Sequence, residues 1–291
     1  MIFSGCGTAL VTPFKENGEV DFEAYAALVG RQIAGGVDFL TALATTGETP
    51  TLSLEEKRKL LGLTSANAGG KPILVGCGSN SVPGTLANIE ALDCGAVTAW
   101  LVVVPFYNKP TQEGQYRYFK EIASRTSKPI VIYNVPGRTG ANMEAATCLR
   151  IAADCPGIIG IKEASGKLEQ VKEIISGAPE GFAVLSGDDD LTLEIMRAGG
   201  HGVISVASNI APSMLSAMTK AAAEGDFTAA EKLDKELSGL YRACFLESNP
   251  IPAKEALRQL GLCSNTMRLP LVPASEKVCE EMRNVLSTLR V

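Results

Sequence analysis

The stretch Ile158-Ile159-Gly160-Ile161-Lys162-Glu163 decides the fold, because it is an apolar run of strand length that ends on a charged lysine. Pro156-Gly157 precedes it, and its β-branched residues favour a strand over a helix. Burying an ammonium group is costly, so Lys162 either extends outward to water or is kept inside for chemistry. The arrangement of the rest of the chain decides between these two interpretations.

Similar apolar runs recur on both sides of this strand, and each is followed by a stretch with helical apolar spacing. The sequence predicts eight strands, at 7–11, 37–44, 72–75, 97–104, 129–133, 158–162, 182–186 and 202–206. Eight strand-then-helix units are the count of a (β/α)8 barrel, and continuous apolar strands are typical of burial on both faces. We therefore predict an α/β fold, a (β/α)8 TIM barrel, with a doubly wound open sheet as the weaker alternative.

Helix signals divide the chain into two parts. Ser53 and Glu56 form a capping box, and Asp188 is predicted to cap a helix that ends at Gly199. After the eighth strand the strand signals stop, and helical spacing continues at 212–224, 227–245, 252–260 and 275–289. We predict a catalytic barrel at 1–224 and a C-terminal helical extension at 225–291, joined by a turn near Gly225.

Composition excludes several classes of protein. The chain has 291 residues, 46% of them hydrophobic, and a formal net charge of -5 without a cluster of Lys and Arg, so nucleic acid and anionic membrane are disfavoured as partners. No apolar run is long enough to span a bilayer, and the first positive side chain is Lys15, which predicts a cytoplasmic protein. Eight scattered cysteines without a CxxC pair indicate reduced thiols. The single histidine, His201, argues against a metal site built on several histidines.

In a closed parallel barrel the C-terminal ends of the strands surround the active site. A partly desolvated lysine at that rim can attack a carbonyl as a free amine and form a Schiff base. The predicted rim collects the following residues: Thr12, Thr45, Thr46, Gly47, Glu48, Tyr107, Tyr133, Arg138, Lys162, Gly187 and Ser205.

Each rim residue also has a structural interpretation. The segment Thr45-Thr46-Gly47 offers hydroxyl and backbone donors for a carboxylate, or it is an ordinary turn. Tyr107 and Tyr133, which we place at strand ends, either transfer protons or only bury their rings. Arg138 either binds a substrate carboxylate with its planar guanidinium or remains solvated.

Three further features are assigned structural or negligible roles. Glu163 is expected to make a structural hydrogen bond rather than act as a base. His201 precedes the eighth strand and so belongs to a surface loop at the opposite end of the barrel. The segment Gly76-Cys77-Gly78-Ser79-Asn80-Ser81 lacks the third glycine of a dinucleotide fingerprint, so a nicotinamide or nucleotide enzyme is disfavoured.

Together these motifs resemble the dihydrodipicolinate synthase branch of the pyruvate-dependent Schiff-base lyase superfamily, over nearly the whole chain. The resemblance rests on seven segments in the same order: Gly7-Thr8-Ala9-Leu10-Val11-Thr12-Pro13-Phe14, Thr45-Thr46-Gly47-Glu48, Pro105-Phe106-Tyr107-Asn108-Lys109-Pro110, Tyr133-Asn134-Val135-Pro136-Gly137-Arg138-Thr139-Gly140, Ile161-Lys162-Glu163-Ala164, Ser186-Gly187-Asp188 and Asn249-Pro250-Ile251-Pro252-Ala253-Lys254. It implies a barrel with a helical extension, assembled as a tetramer of two tight dimers or as a dimer.

The resemblance also implies roles for the rim residues. Lys162 would form the imine with pyruvate, and Thr46 would hold the pyruvate carboxylate. Tyr133 would move protons at the imine, coupled through Thr45 to Tyr107 of the neighbouring subunit. Arg138 would receive the carboxylate of L-aspartate 4-semialdehyde. Gly187 and Ile204 would supply backbone and wall, and no external cofactor would be required.

The chain departs from the family pattern at two places. Ala44 stands where the family usually has glycine. The positions of the lysine feedback pocket hold Leu54, Lys57, Gly84 and Phe106, with only Asn80 retained, which predicts weak or absent inhibition by lysine.

Two other functions are weaker interpretations of the same residues. An N-acetylneuraminate or other sugar-acid lyase is the second interpretation, disfavoured by the arginine at 138. A non-catalytic paralogue is the third, disfavoured because the lysine, both tyrosines and both threonines are present.

Overall fold

Eight parallel strands close into one barrel in the computed structural model of this chain, which describes residues 1–289. Each strand pairs with its neighbours in sequence, and β8 pairs back with β1. The predicted (β/α)8 barrel is confirmed, and the open sheet is excluded. The strands are β1 (Gly5–Ala9), β2 (Phe39–Ala42), β3 (Ile73–Gly76), β4 (Ala99–Val103), β5 (Ile130–Asn134), β6 (Ile158–Glu163), β7 (Ala183–Ser186) and β8 (Gly202–Ser205).

Helices surround the barrel and continue beyond it. They are α1 (Phe22–Ala34), α2 (Leu54–Asn67), α3 (Val82–Leu92), α4 (Gln112–Ala123), α5 (Pro136–Thr139), α6 (Ala145–Asp154), α7 (Leu168–Gly177), α8 (Thr192–Arg197), α9 (Pro212–Ala223), α10 (Phe227–Ala243), α11 (Ile251–Gln259) and α12 (Glu276–Thr288). Apart from α5, a single turn after β5, the first nine follow the strands one by one. None of the helices within residues 1–289 is both long and apolar enough to cross a bilayer.

The strands read as continuous apolar runs because both of their faces are buried. Val131 and Leu185 belong to the cluster that fills the barrel, whereas the adjacent Ile132 and Val184 belong to the cluster between strands and helices. Side chains alternate between the two faces of a strand, so consecutive residues belong alternately to the inner and the outer cluster. This arrangement brings the C-terminal strand ends together around one opening.

The two helix starts that were predicted from capping residues have different outcomes. Ser53 and Glu56 form the predicted capping box at the start of α2. The predicted cap at Asp188 is wrong, because its side chain makes no capping hydrogen bond and α8 begins only at Thr192 and ends at Arg197. A 3-10 turn at 189–191 intervenes, and the Thr192 N–H is already satisfied by the Asp189 carbonyl.

The residues after α9 are helical, as predicted. Gly225 forms the expected turn between α9 and α10, with a φ of +82°. Helix α10 packs on α9 and on α12, and α11 packs on α12. Leu257 of α11 is buried against Val11 and Leu28, so this part of the chain returns to the barrel.

Candidate active site

Lys162 is held inside the molecule. It lies one residue before the end of β6 and is only 4% exposed. Its register partner on β5 is Tyr133, and Lys162 Nζ lies 4.4 Å from the centroid of the Tyr133 ring. Because a lysine that extended to water would be exposed, the outward interpretation of Lys162 is excluded.

Gly187 leaves the space beside this lysine open. It directly follows β7, and a Cβ atom at this position would lie 3.1 Å from Lys162 Cε and 2.5 Å from Ala164 Cβ. Ile204 on β8 is fully buried and belongs to the same cluster as Tyr133. Both residues predicted as backbone and wall therefore lie in the part of the barrel that holds Lys162.

A short 3-10 turn, Thr45–Gly47, follows β2 and presents the two hydroxyls. Thr12 Oγ1 donates to the Gly47 carbonyl at 2.8 Å, which fixes the end of the turn. Thr45 is half-buried, and Thr46 is buried. Ala44 has an ordinary extended backbone with φ of -91°, so alanine fits here without the left-handed conformation that glycine alone adopts freely.

A cavity of about 350 Å³ opens beside this turn, and Thr45, Tyr133 and Arg138 all line it. Its size suits a small-molecule site. Its other lining residues include Lys57 and Phe106, two of the positions assigned to the lysine feedback pocket. Lys162 does not line the cavity but lies against the Tyr133 ring, which does.

Arg138 lies on α5, just past β5, and its side chain is exposed. Its guanidinium Nη2 donates to the main-chain carbonyl of Asn249 at 3.2 Å. The arginine is therefore at the mouth of the cavity, with one N–H engaged by the protein and the others available to an incoming carboxylate.

Tyr107 departs from its predicted position. Strand β4 ends at Val103, so Tyr107 does not close a strand, and it lies in a turn with φ of +72°. Its N–H donates to the Thr139 carbonyl at 3.2 Å, and its side chain is 87% exposed. The structure therefore places the Tyr107 side chain on the surface of the chain, whereas Lys162 and Tyr133 are buried.

Burial raises the pKa values of two acidic residues near Lys162. Burial raises the pKa of Asp188 to about 6, and the nearby Asp190 adds to the shift while the charge of Lys162 opposes it. Burial also raises the pKa of Glu163, which accepts hydrogen bonds from Asn134 Nδ2, the Ser165 N–H and Gln170 Nε2. These bonds confirm that Glu163 makes structural hydrogen bonds, as predicted.

His201 precedes β8, at the end of the barrel opposite the rim, as predicted. It is half-buried rather than on the surface, and its Nδ1 accepts the Val184 N–H at 3.0 Å. Burial lowers the pKa of this histidine. It is therefore a structural residue remote from Lys162.

Three residues without a role predicted from the sequence lie next to the threonine turn in the structure. Lys254 Nζ and Glu48 Oε1 form an ion pair at 2.7 Å, with both side chains fully buried. Asn249 Nδ2 donates to Thr46 Oγ1 at 3.0 Å. One signal could have found the pair, because Lys254 falls between Ile251 and Leu257 at helical spacing and so lies on the buried face of α11.

Comparison with known proteins agrees with this fold. The sequence model of the dihydrodipicolinate synthetase family matches residues 2–289. The 4-hydroxy-tetrahydrodipicolinate synthase of Koribacter versatilis is 51% identical, over 94% of this chain and 91% of its own. Dihydrodipicolinate synthase from Thermotoga maritima superimposes with a TM-score of 0.95 at 46% identity, over 99% and 98% of the two chains. The chloride-inhibited enzyme of Acinetobacter baumannii, solved with pyruvate, gives 0.96 at 39% identity, over 99% of both chains.

Proposed function

The chain belongs to the dihydrodipicolinate synthetase family, and on that premise we propose that it condenses pyruvate with L-aspartate 4-semialdehyde through an imine on Lys162. The product is 4-hydroxy-tetrahydrodipicolinate, and the reaction belongs to lysine and diaminopimelate biosynthesis. The observation that carries the assignment to Lys162 is its burial beside Tyr133 at the C-terminal strand ends.

The chemistry follows from an amine held in an apolar site. Lys162 Nζ attacks the ketone carbon of pyruvate, and water leaves to give the imine. Loss of a methyl proton then gives an enamine, whose carbon attacks the aldehyde of the second substrate. The amino group of that substrate finally attacks the imine carbon, closes the ring and releases Lys162. Tyr133, against the amine, is the group that we propose donates and accepts protons in these steps.

Two groups at the rim suit the two carboxylates. We assign the pyruvate carboxylate to Thr46, and we place Gly187 and Ile204 as the open space and the apolar wall beside the imine. We assign the carboxylate of the semialdehyde to Arg138, since a guanidinium binds carboxylates with two parallel hydrogen bonds. The position of Arg138 at the mouth of the cavity supports the assignment of this arginine.

The proton relay requires a second subunit. We propose that Thr45 connects Tyr133 to Tyr107 of the partner subunit in a homodimer or a tetramer of two dimers. The 87% exposure of Tyr107 supports this arrangement, because the phenol extends away from its own subunit. Leu54 and Phe106, also exposed, offer further apolar surface for such a contact.

We further propose that the enzyme acts in the cytoplasm and that Gly225 divides it into a barrel at 1–224 and an extension at 225–291. All eight cysteines are free thiols, five of them buried: Cys6, Cys77, Cys148, Cys155 and Cys244. Free thiols suit a reducing compartment.

Reduction of the imine tests the assignment directly. Borohydride added with pyruvate should attach a stable adduct to Lys162, detected by mass spectrometry of the digested protein. Lys162→Arg keeps the charge but removes the nucleophile, so this variant should remain unlabelled. An adduct at another lysine, or none in the native protein, would refute the assignment.

A coupled assay separates the synthase from a sugar-acid lyase. We expect turnover with pyruvate and L-aspartate 4-semialdehyde and none with N-acetylneuraminate. Arg138→Ala should raise the KM for the semialdehyde while leaving the labelling of Lys162 by pyruvate unchanged. Cleavage of the sugar acid at the faster rate would favour the lyase.

A further inference from the structure

We propose that Asn249 is a positioning residue that orients both carboxylate-binding groups, Thr46 through its side chain and Arg138 through its main-chain carbonyl. The inference rests on the proposed function, because it assumes that Thr46 and Arg138 bind the two substrates. Asn249 lies between α10 and α11, outside the barrel strands, yet it contacts both groups. Residues beyond the barrel therefore complete the site.

The side-chain contact sets the direction of the Thr46 hydroxyl. Asn249 Nδ2 donates to Thr46 Oγ1 at 3.0 Å, and the two residues are 6% and 2% exposed. A hydroxyl has one hydrogen to donate and two lone pairs to accept with. Because the amide occupies a lone pair, the hydrogen of Thr46 remains free to point at a carboxylate. That bond is strengthened by the charge of its acceptor.

The main-chain contact fixes the guanidinium. Arg138 Nη2 donates to the Asn249 carbonyl at 3.2 Å, across 111 residues of sequence. An exposed arginine otherwise samples many rotamers, and holding one N–H reduces that freedom before the substrate arrives. This contact does not depend on the side chain at 249, so the two functions of the residue can be separated by mutation.

A buried ion pair holds Asn249 at the right distance from Thr46. Lys254, on the helix that begins two residues after Asn249, pairs with Glu48, which directly follows the Thr45–Gly47 turn. Lys254 Nζ also donates to the Thr266 carbonyl at 2.6 Å. The helix next to the amide and the turn that carries the hydroxyl are therefore tied together without solvent between them.

The side-chain oxygen of Asn249 indicates that this residue is not there for stability alone. Within residues 1–289, Asn249 Oδ1 is buried and has no hydrogen-bond partner. Leaving a buried acceptor unpaired is unfavourable, so an asparagine selected for stability alone would satisfy both of its polar atoms. In the described part of the chain, the side chain of Asn249 makes one hydrogen bond, and that bond is to Thr46.

Asn249→Ala tests the side-chain contact while keeping the main-chain carbonyl. Loss of one hydrogen bond between neutral groups predicts a rise of about threefold to tenfold in the KM for pyruvate and in the pyruvate concentration that gives half-maximal borohydride labelling. The KM for the semialdehyde and kcat should change by less than about twofold, because Arg138 retains its acceptor. In a Thr46→Val background, Asn249→Ala should cause no further change in the pyruvate KM.

Two variants serve as controls. Asn249→Asp has the same shape but cannot donate when ionised, so it should raise the pyruvate KM at least as much as alanine does, even if the alanine variant folds poorly. Asn67→Ala removes a comparable amide in α2, whose Nδ2 donates to the Leu63 carbonyl, and should leave both KM values unchanged.

The outcomes separate this inference from the proposed function. Equal rises in both KM values, an unchanged pyruvate KM, or an additional effect in the Thr46→Val background would overturn the positioning role while native labelling at Lys162 stood. Absence of labelling in the native protein would instead remove the proposed function, and the inference with it.

Discussion

Replacing Gly187 by alanine should damage the site through contact with Lys162 rather than through strain in φ, because Gly187 does not have the left-handed backbone that alanine avoids. The new Cβ would lie 2.5 Å from Ala164 Cβ and 3.1 Å from Lys162 Cε. Carbon atoms in contact are normally about 3.5 to 4.0 Å apart, so the overlaps are about 1 Å and about 0.5 Å. Overpacking of this kind costs about 1 to 3 kcal/mol of unfolding free energy, which urea titration measures.

The same overlap should slow imine formation. Relief of the contact requires Lys162 Cε to move by several tenths of an ångström, and a misplacement of about 1 Å costs about 100-fold in rate. We therefore expect the rate of borohydride-trapped labelling by pyruvate to fall about tenfold. Quenched-flow trapping at saturating pyruvate measures this rate separately from binding.

A double variant separates the effect on stability from the effect on rate. Ala164→Gly added to Gly187→Ala removes the shortest overlap and should restore most of the stability, but the 3.1 Å approach to Lys162 remains and the rate should stay low. Gly157→Ala is the control, because nothing lies within 4 Å of a Cβ there. A single Gly187→Ala variant with the native labelling rate, or a double variant with a restored rate, would refute the reasoning.

Three further predictions concern the same region. Tyr133→Phe should lower kcat by about 100-fold or more, since it removes a general acid and base, while the thermal midpoint changes little; native turnover would exclude that role. Burial raises the pKa of Asp188 to about 6, above the value of about 3.9 for an unfolded carboxyl, so stability should fall as pH rises from about 4 to 6. Asp188→Asn should therefore stabilise the protein by about 3 kcal/mol at pH 7 and by almost nothing at pH 4, and equal gains in urea titrations at the two pH values would contradict this. Millimolar lysine should inhibit weakly or not at all, given Leu54, Lys57, Gly84 and Phe106, and strong inhibition in a steady-state assay would overturn that expectation.

The barrel could be predicted because its physical cause is local. Strands buried on both faces are continuously apolar, and some of the helices between them carry their own capping residues, as α2 does with Ser53 and Glu56. The ends of strands were less predictable: β1 begins at Gly5 rather than Gly7, because pairing with β8 extends the strand beyond its apolar run. The buried position of Lys162 could be anticipated, because a lysine that ends an apolar strand stands out in the local sequence.

Contacts that join distant parts of the chain could not be predicted in this way. Asn249 and Thr46 are 203 residues apart, and Lys254 and Glu48 are 206 apart. A local pattern reports which face of a helix is buried but not which residue it meets. Tyr107 was misplaced for a related reason, since β4 ends four residues earlier and the chain then turns through a left-handed residue.

The buried pair of Glu48 and Lys254 has a consequence for how this sequence can diverge. Losing either partner leaves a lone charge without water, at a cost of about 3 to 5 kcal/mol, a large share of the stability of a typical domain. Replacing both by apolar residues of similar volume avoids that penalty. Substitution at the two positions should therefore be correlated among descendants of this enzyme, and a lineage that changes one must soon change the other.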